Sequence, residues 1–504
     1  MRTMRLLPAL VGALVGLLVY FAAVRDAGAV PSFARKYQTS CLTCHTVFPV
    51  LNPFGEAFRR NGYRMPSQNG STDIEAVKGE MIPLGQEEYK QMFPDAVWPS
   101  KIMDSVPIGF VANGGIAYNF GDSDAAAAAG NQFALNDLYA ELHIFAAGAI
   151  SETLTYYSEL NITKDGVDPE NAFVMWSDIV GPPHLVNVWV GKLAYPSIIS
   201  FGSHSTYLGD FAVPPLGIAG LYNPSYTKAI PTKHPNAIEL NGVVGHRVMY
   251  AIGLAQSNAV NASLIPDTQD FYAHLGAKIG GMSLDGEGPC GPTVPDAMKP
   301  WAERSLTLDA YGWSGLLVFN NGTGVAKGLV SQNDHFAVLG AQARGYLDSL
   351  SVTAGVQAQH HDQPYPGSPA KAGPPAVSGV PFGASGNSLM GYGEIAYVVW
   401  PWFVPGVRAE YTRIDVNSLA PNADPADGAY ASLLRIIPGV AMLVRPNLNV
   451  TVSAELDQAY GVPPVGDWGN ANGLIAPAQT DASGKYVTTK LEAEQVNLTA
   501  ALGF

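Results

Sequence analysis

The sequence is short of charge. Asp, Glu, Lys and Arg make up 14% of its 504 residues, against about 25% in an ordinary soluble domain. Positive charge is the scarcer sign: 28 Lys and Arg stand against 42 Asp and Glu, a net charge of −14. A nucleic-acid-binding chain would be basic, so that class is excluded. Cysteine is almost absent, with three residues. Long apolar runs are missing beyond the N-terminus, which excludes a bundle of membrane helices of about 20 apolar residues each. No repeat of fixed period is visible, which argues against a propeller. Apolar residues are not lacking. They are 47% of the chain, too many for a disordered one. Gly (54) and Pro (38) are abundant. What remains is a large, acidic, turn-rich protein whose surface needs few charges.

The one long apolar run reads as an export signal. Arg2 and Arg5 precede the uncharged stretch Leu6 to Val24, and Ala27-Gly28-Ala29 supplies the small residues a signal peptidase needs. Cleavage is therefore expected after Ala29, with an uncleaved anchor as the alternative.

From residue 106 onward the apolar residues alternate with period two, the mark of half-buried strands. Val407, Ala409 and Tyr411 oppose Arg408, Glu410 and Thr412; Val352, Ala354 and Val356 oppose Thr353 and Gln357. About sixteen such strands can be counted. The connections between them alternate: tight ones such as Trp400-Pro401-Trp402, then long ones such as 195–236 and 163–171. Short turns at one end and long loops at the other are the signature of an outer-membrane barrel. One connection, 284–304, is long where a turn is expected. Trp176, Trp189, Trp400 and Trp402 fall beside short turns, where an aromatic girdle would lie. The chain ends in alternating apolar residues and Phe504, which resembles the last strand of bacterial outer-membrane proteins. The expected fold is mainly β: an outer-membrane antiparallel β-barrel over 106–504. Glu141, Arg408, Glu410, Glu455 and Asp457 are its candidate lumen charges.

Residues 30–105 carry a different signal. Cys41-Leu42-Thr43-Cys44-His45 is a C-x-x-C-H motif. Its spacing lets two thiols attach to one haem while the following histidine ligates the iron. A zinc site would need a second ligand pair, and a redox dithiol would sit beside a βαβ pattern; neither follows in the sequence. Cys290 stands alone in a loop. A short helix is expected after the motif, with Asn52 as N-cap, Pro53 in the first turn and Gly62 past the end. Leu51, Phe54 and Phe58 line one face of it and are candidates for haem packing. Met65, just beyond, is the nearest candidate sixth ligand. The segment thus reads as a small α-helical domain holding one haem c, with Cys41 and Cys44 covalent and His45 axial. Because it precedes the first strand, it can fold into the lumen from the periplasmic side as a plug.

The run Pro31-Ser32-Phe33-Ala34-Arg35, the haem motif, and Phe48-Pro49-x-Leu51-Asn52-x-Phe54-Gly55-x-x-Phe58-x-x-Asn61-Gly62-Tyr63 resembles the start of the fused cytochrome–porins. These are exported monohaem cytochromes joined to an outer-membrane barrel, and their best-known members oxidise ferrous iron. The resemblance implies electron transfer between an extracellular donor such as Fe²⁺ and a periplasmic c-type cytochrome. Carboxylates and imidazoles in the expected loops (Asp122, Asp124, Asp165, Asp168, Glu170, Asp424, Asp427, His360, His361 and Asp362) are of the type that attracts such a cation. The alternative function is a solute porin with a haem plug or a haem-based sensor domain.

Overall fold

The computed structural model describes residues 33–34, 39–64, 108–119, 133–134, 141–149, 153–163, 166–193, 206–208, 235–256, 270–287, 299–320, 331–362, 386–400, 402–416, 430–445, 447–461 and 489–503. The signal segment 1–29, Met65 and Cys290 lie outside these residues, as do most of the expected loops.

The first described segment holds a 3-10 turn at Cys41–Thr43, a small hairpin of β1 (His45–Val47) and β2 (Val50–Leu51), and helix α1 (Pro53–Arg60). The wall follows as β3 (Ile108–Asn119), β4 (Phe133–Ala134), β5 (Glu141–Ala149), β6 (Leu154–Thr163), β7 (Gly166–Trp176), β8 (Asn187–Lys192) and β9 (Asn236–Val244). It continues through β10 (Val248–Gln256), β11 (Asp270–Gly280), β12 (Glu303–Asn320), β13 (Ser331–Asp348) and β14 (Leu350–His361). It ends with β15 (Gly386–Tyr397), β16 (Val404–Val416), β17 (Tyr430–Arg445), β18 (Leu448–Gly461) and β19 (Thr489–Gly503). Each strand pairs with the next and β19 closes on β3, all antiparallel. β4 and β5 both pair with β3, at its upper and lower parts, and share one position. The described strands therefore form a closed barrel of 16 positions.

The period-two reading holds in three dimensions. On β16, Val407 and Tyr411 are exposed on the outside, whereas Arg408, Glu410 and Thr412 are buried inside. On β14, Val352 and Val356 face out and Thr353 and Gln357 face in. The outer wall carries large bare apolar residues, up to Leu339 at 69% and Ile279 at 66% exposed. An apolar band of this extent would not persist in water; lipid is its solvent, and closure removes every sheet edge. The chain is an outer-membrane-type β-barrel. Among the described residues no helix is long and apolar enough to cross a membrane; the strands make the crossing.

Three expectations need correction. β6 and β7 are separated by two residues, so 163–171 is not a long loop. Asp168 and Glu170 belong to β7, and His360 and His361 to β14. Trp189 is not part of a girdle. It turns inward and stacks on Phe173 at 5.6 Å, because Val190 takes the outward position in the alternation. Trp176, Trp400 and Trp402 do face outward, and the last two stack on each other at 5.1 Å.

Residues 39–64 lie across the lumen at the short-turn end. Leu42, Val47 and Val50 pack on Ala396, Val398, Val404, Ala441 and Leu443 of one part of the wall. Glu56 of α1 reaches Arg344 of β13 at 3.2 Å on another. Tyr63 stacks on Tyr157 of β6 at 4.9 Å on a third. The expected small helical domain is not evident among the described residues: they hold one eight-residue helix, a hairpin and a 3-10 turn, wedged inside the barrel as a plug.

Candidate functional site

The local structure of the plug follows from a few residues. Asn52 caps α1, its side-chain oxygen accepting from Gly55 N at 2.9 Å. Its amide also donates to the carbonyls of Leu42 at 2.9 Å and Thr43 at 3.1 Å. One buried side chain therefore ties the helix start to the cysteine turn. The helix ends in a Schellman motif: Tyr63 N donates to the Phe58 carbonyl and Gly62 N to that of Arg59, with Gly62 at φ +71. Gly55 lies so close to the cysteine turn that a Cβ there would stand 2.1 Å from the Cys44 carbonyl oxygen.

The helix meets the wall with charge on one side. Glu56 bonds to Arg60 at 3.2 Å and to Arg344 at 3.2 Å. Burial alone would raise its pKa, but the cations of Arg344, Arg60 and Arg59 outweigh this and hold it down at about 2. The long connection after β11 serves the same docking. Arg60 donates to the Leu284 carbonyl at 3.4 Å and Asn61 to that of Asp285 at 2.8 Å. Asp285 and Glu287 in turn meet His246 at 2.7 Å and His184 at 3.0 Å. Arg64 pairs with Asp178 at 2.7 Å. The connection that broke the short-turn rule is a clamp on the plug.

On its other side the plug and the wall enclose an apolar pocket of about 1140 Å³, part of it open to the lumen. Cys41, Cys44 and His45 all line it. Phe33, Phe48, Leu51, Phe58 and Tyr63 of the plug, and Phe110, Val111, Phe145 and Tyr157 of the wall, are among the residues that supply its apolar surface. Arg59 is the one Lys or Arg in the lining among the described residues. Phe33, Phe58 and Tyr63 contact one another with ring centres 5.1 to 5.9 Å apart. The structure therefore brings together Cys41, Cys44, His45 and Phe58. It does not bring Phe54 into the lining; that side chain is buried about one helical step away from the face formed by Gly55, Phe58 and Arg59. The wall aromatics were invisible to sequence reasoning, since nothing local marks a strand residue 50 to 100 positions away as part of this site.

The donor set fits a covalently bound haem. His45 Nδ1 donates to the Pro49 carbonyl at 3.0 Å. A carbonyl only accepts, so Nε2 carries the ring's lone pair; a backbone acceptor on the other nitrogen is the usual support of a metal-ligating histidine. Burial pushes the Cys41 thiol up to about 11 and the Cys44 thiol up to about 12. That is the opposite of the depressed thiols of a redox C-x-x-C pair.

Comparison with known proteins adds likeness in fold only. No family model and no curated protein matches the chain. Among solved structures it is similar to OmpT, an outer membrane protein of Vibrio cholerae, at 11% identity and a TM-score of 0.46, over 79% of this chain and 97% of that one. It is also similar to an anion-selective porin from Comamonas acidovorans, at 13% identity and a TM-score of 0.43, over 79% and 99%. The outer membrane channel DcaP of Acinetobacter baumannii matches at 9% identity and a TM-score of 0.42, over 79% and 96%. The barrel itself is defined by its own strand pairing.

Proposed function

We propose that the protein is an electron-transfer barrel. It would carry one haem c on Cys41 and Cys44, with His45 as axial ligand, and pass electrons between an extracellular donor such as Fe²⁺ and a periplasmic c-type cytochrome. The observation that carries this reading is the convergence of both thiols and the imidazole on one aromatic-lined pocket inside the barrel. When bound, the haem supplies a one-electron couple. The protein's own residues do the remainder. Asn52 holds the cysteine turn against the helix. Pro49 orients the imidazole. The aromatic rings exclude water, and Arg59, in the lining, would suit the carboxylates of a bound haem. A lumen plugged at this height brings the redox centre near the periplasmic face while the wall insulates it from lipid.

The test is an absorption spectrum of the purified full-length protein. Expected are a c-type haem spectrum, reduction by Fe²⁺, and loss of haem staining in Cys41→Ala with the barrel still inserted. Normal electron transfer in that variant would overturn the reading. The solute-porin alternative predicts instead a solute flux through reconstituted barrels that His45→Ala leaves unchanged.

A further inference from the structure

Directly above the pocket, on its long-loop side, the wall carries a second polar constellation. His143 of β5 faces Glu159 of β6 and Glu170 of β7, with the three ligand atoms within 4.8 Å of one another. His143 Nδ1 lies 3.0 Å from Glu159 Oε1 and 3.8 Å from Glu170 Oε2. Ligands about 2.1 Å from a common ion lie about 3.0 Å apart along an octahedral edge and about 4.2 Å apart when trans, so these distances span what one ion requires. Glu141 adds a third carboxylate, 3.5 Å from His143 Nε2.

The carboxylates are held from behind. Asn171 donates to Glu159 Oε2 at 2.7 Å, and Tyr157 donates to the same oxygen at 3.4 Å. Asn161 donates to Glu170 Oε1 at 2.9 Å. Each glutamate thus turns its other oxygen toward His143, the arrangement by which an outer shell of donors orients metal ligands. The backbone is shaped for this. Glu159 pairs with Asn171 and Leu160 with Pro169, which leaves Glu170 as the extra residue of a β-bulge. The bulge lets Glu170 and Asn171, adjacent in sequence, both turn inward, which a regular strand forbids. One further atom points to a ligand. Asn161 sits opposite His143 in the register and is 6% exposed. Its Oδ1 is buried with no hydrogen-bond partner among the described residues.

We propose that His143, Glu159 and Glu170, completed by Asn161 Oδ1, form a binding site for a divalent first-row metal ion such as Fe²⁺ or Mn²⁺. One imidazole with oxygen donors suits these ions. The imidazole must be neutral to ligate, so the proton that it now donates to Glu159 leaves on binding. Position gives the site its meaning. His143, Glu141 and Glu159 line a second cavity of about 1330 Å³ that shares Phe48, Val111 and Phe145 with the pocket below. The cluster thus lies between the long-loop end of the barrel and the pocket. Tyr157 joins the two places: its hydroxyl bonds to Glu159 and its ring lines the pocket. As a metal site the cluster stands without the haem; as an entry point for an electron donor it rests on the reading above.

The experiment titrates Mn²⁺ into the purified full-length protein and follows loss of the free-ion resonance by electron paramagnetic resonance. Wild type is expected to bind one equivalent. The Cys41→Ala/Cys44→Ala variant is expected to bind it equally, which separates this site from the fate of the haem reading. His143→Ala/Glu170→Gln is expected to weaken binding by at least about tenfold, while a heat-modifiability gel shows an intact barrel and the haem spectrum is unchanged. Equal binding by wild type and this double variant, or no stoichiometric binding by wild type, overturns the proposal.

Discussion

The two faces of helix α1 meet the barrel by different physics. Toward β13 and the connection after β11 the contact is ionic: Glu56 and Arg60 dock against Arg344 and the carbonyl of Leu284. Toward β5 and β6 it is apolar: Gly55, Phe58 and Arg59 look across a gap at Phe145 and Tyr157. A buried charge pair fixes orientation, because removing one partner leaves the other uncompensated. An apolar gap between two well-made surfaces is what a flat, apolar ligand fills. One face therefore holds the plug in place so that the other can hold something else. The comparison can be broken on either side, and the two sides should fail differently.

The larger failure is expected on the pocket side. Gly55 lets the helix touch the cysteine turn; the Cβ of Gly55→Ala would stand 2.1 Å from the Cys44 carbonyl oxygen and 2.9 Å from Leu51 Cδ2. Helix and turn must separate. Overpacking of this kind costs about 1–3 kcal/mol or more, and here it falls on the segment that sets the cysteines and His45. Covalent haem content, read by staining per mole of barrel, should drop to a small fraction of wild type. Unchanged haem content in a folded Gly55→Ala protein would show that the turn and helix are not coupled.

On the ionic side the expected effect is smaller and depends on pH. Glu56 has its pKa held at about 2 in the folded protein, against an ordinary 4.5. A depressed carboxylate contributes stability above its unfolded pKa and loses it as pH falls, here across roughly pH 4.5 to 2. The shift corresponds to about 3 kcal/mol, shared between docking on Arg344 and the helix's own Arg60 and Arg59. Glu56→Gln should loosen the plug by part of this amount at neutral pH and remove that acid dependence. Protease cleavage within residues 39–64, followed against pH, checks this. Equal protection of wild type and variant down to pH 2 would show that the ionic face does not hold the plug.

How far this arrangement was legible differs between wall and plug. The strands were readable because alternation is local: Val407 against Arg408 needs no knowledge of the partner strand. The error at 163–171 came from Asp165, Asp168, Pro169 and Glu170, whose composition imitates a loop while a bulge places Glu170 in the lumen. Trp189 misled by one position of parity. In the plug, the motif and the helix punctuation at Asn52, Pro53 and Gly62 were readable for the same local reason. Phe110, Phe145 and Tyr157 were not, because only barrel closure and the seating of the plug bring them to the motif. In the sequence the clamp at 281–287 shows only as a connection of unusual length; its carbonyl contacts with Arg60 and Asn61 carry no sequence signal.

The smallest expected effect belongs to the wall alone. Trp400 and Trp402 are exposed at the short-turn end and stack with their planes 1° apart. Such a stacked pair is worth about 1 kcal/mol beyond its area, and at this height each ring also anchors the barrel at the membrane surface. Trp402→Ala should lower the temperature at which the barrel loses its folded mobility on a gel by a few degrees. Haem content and the acid transition of the plug should be unchanged, because neither ring touches residues 39–64 among the contacts that hold the plug. A fall in haem content comparable to that of Gly55→Ala would mean that wall and plug are stabilised as one unit, and the division between an insulating wall and a ligand-holding plug would have to be given up.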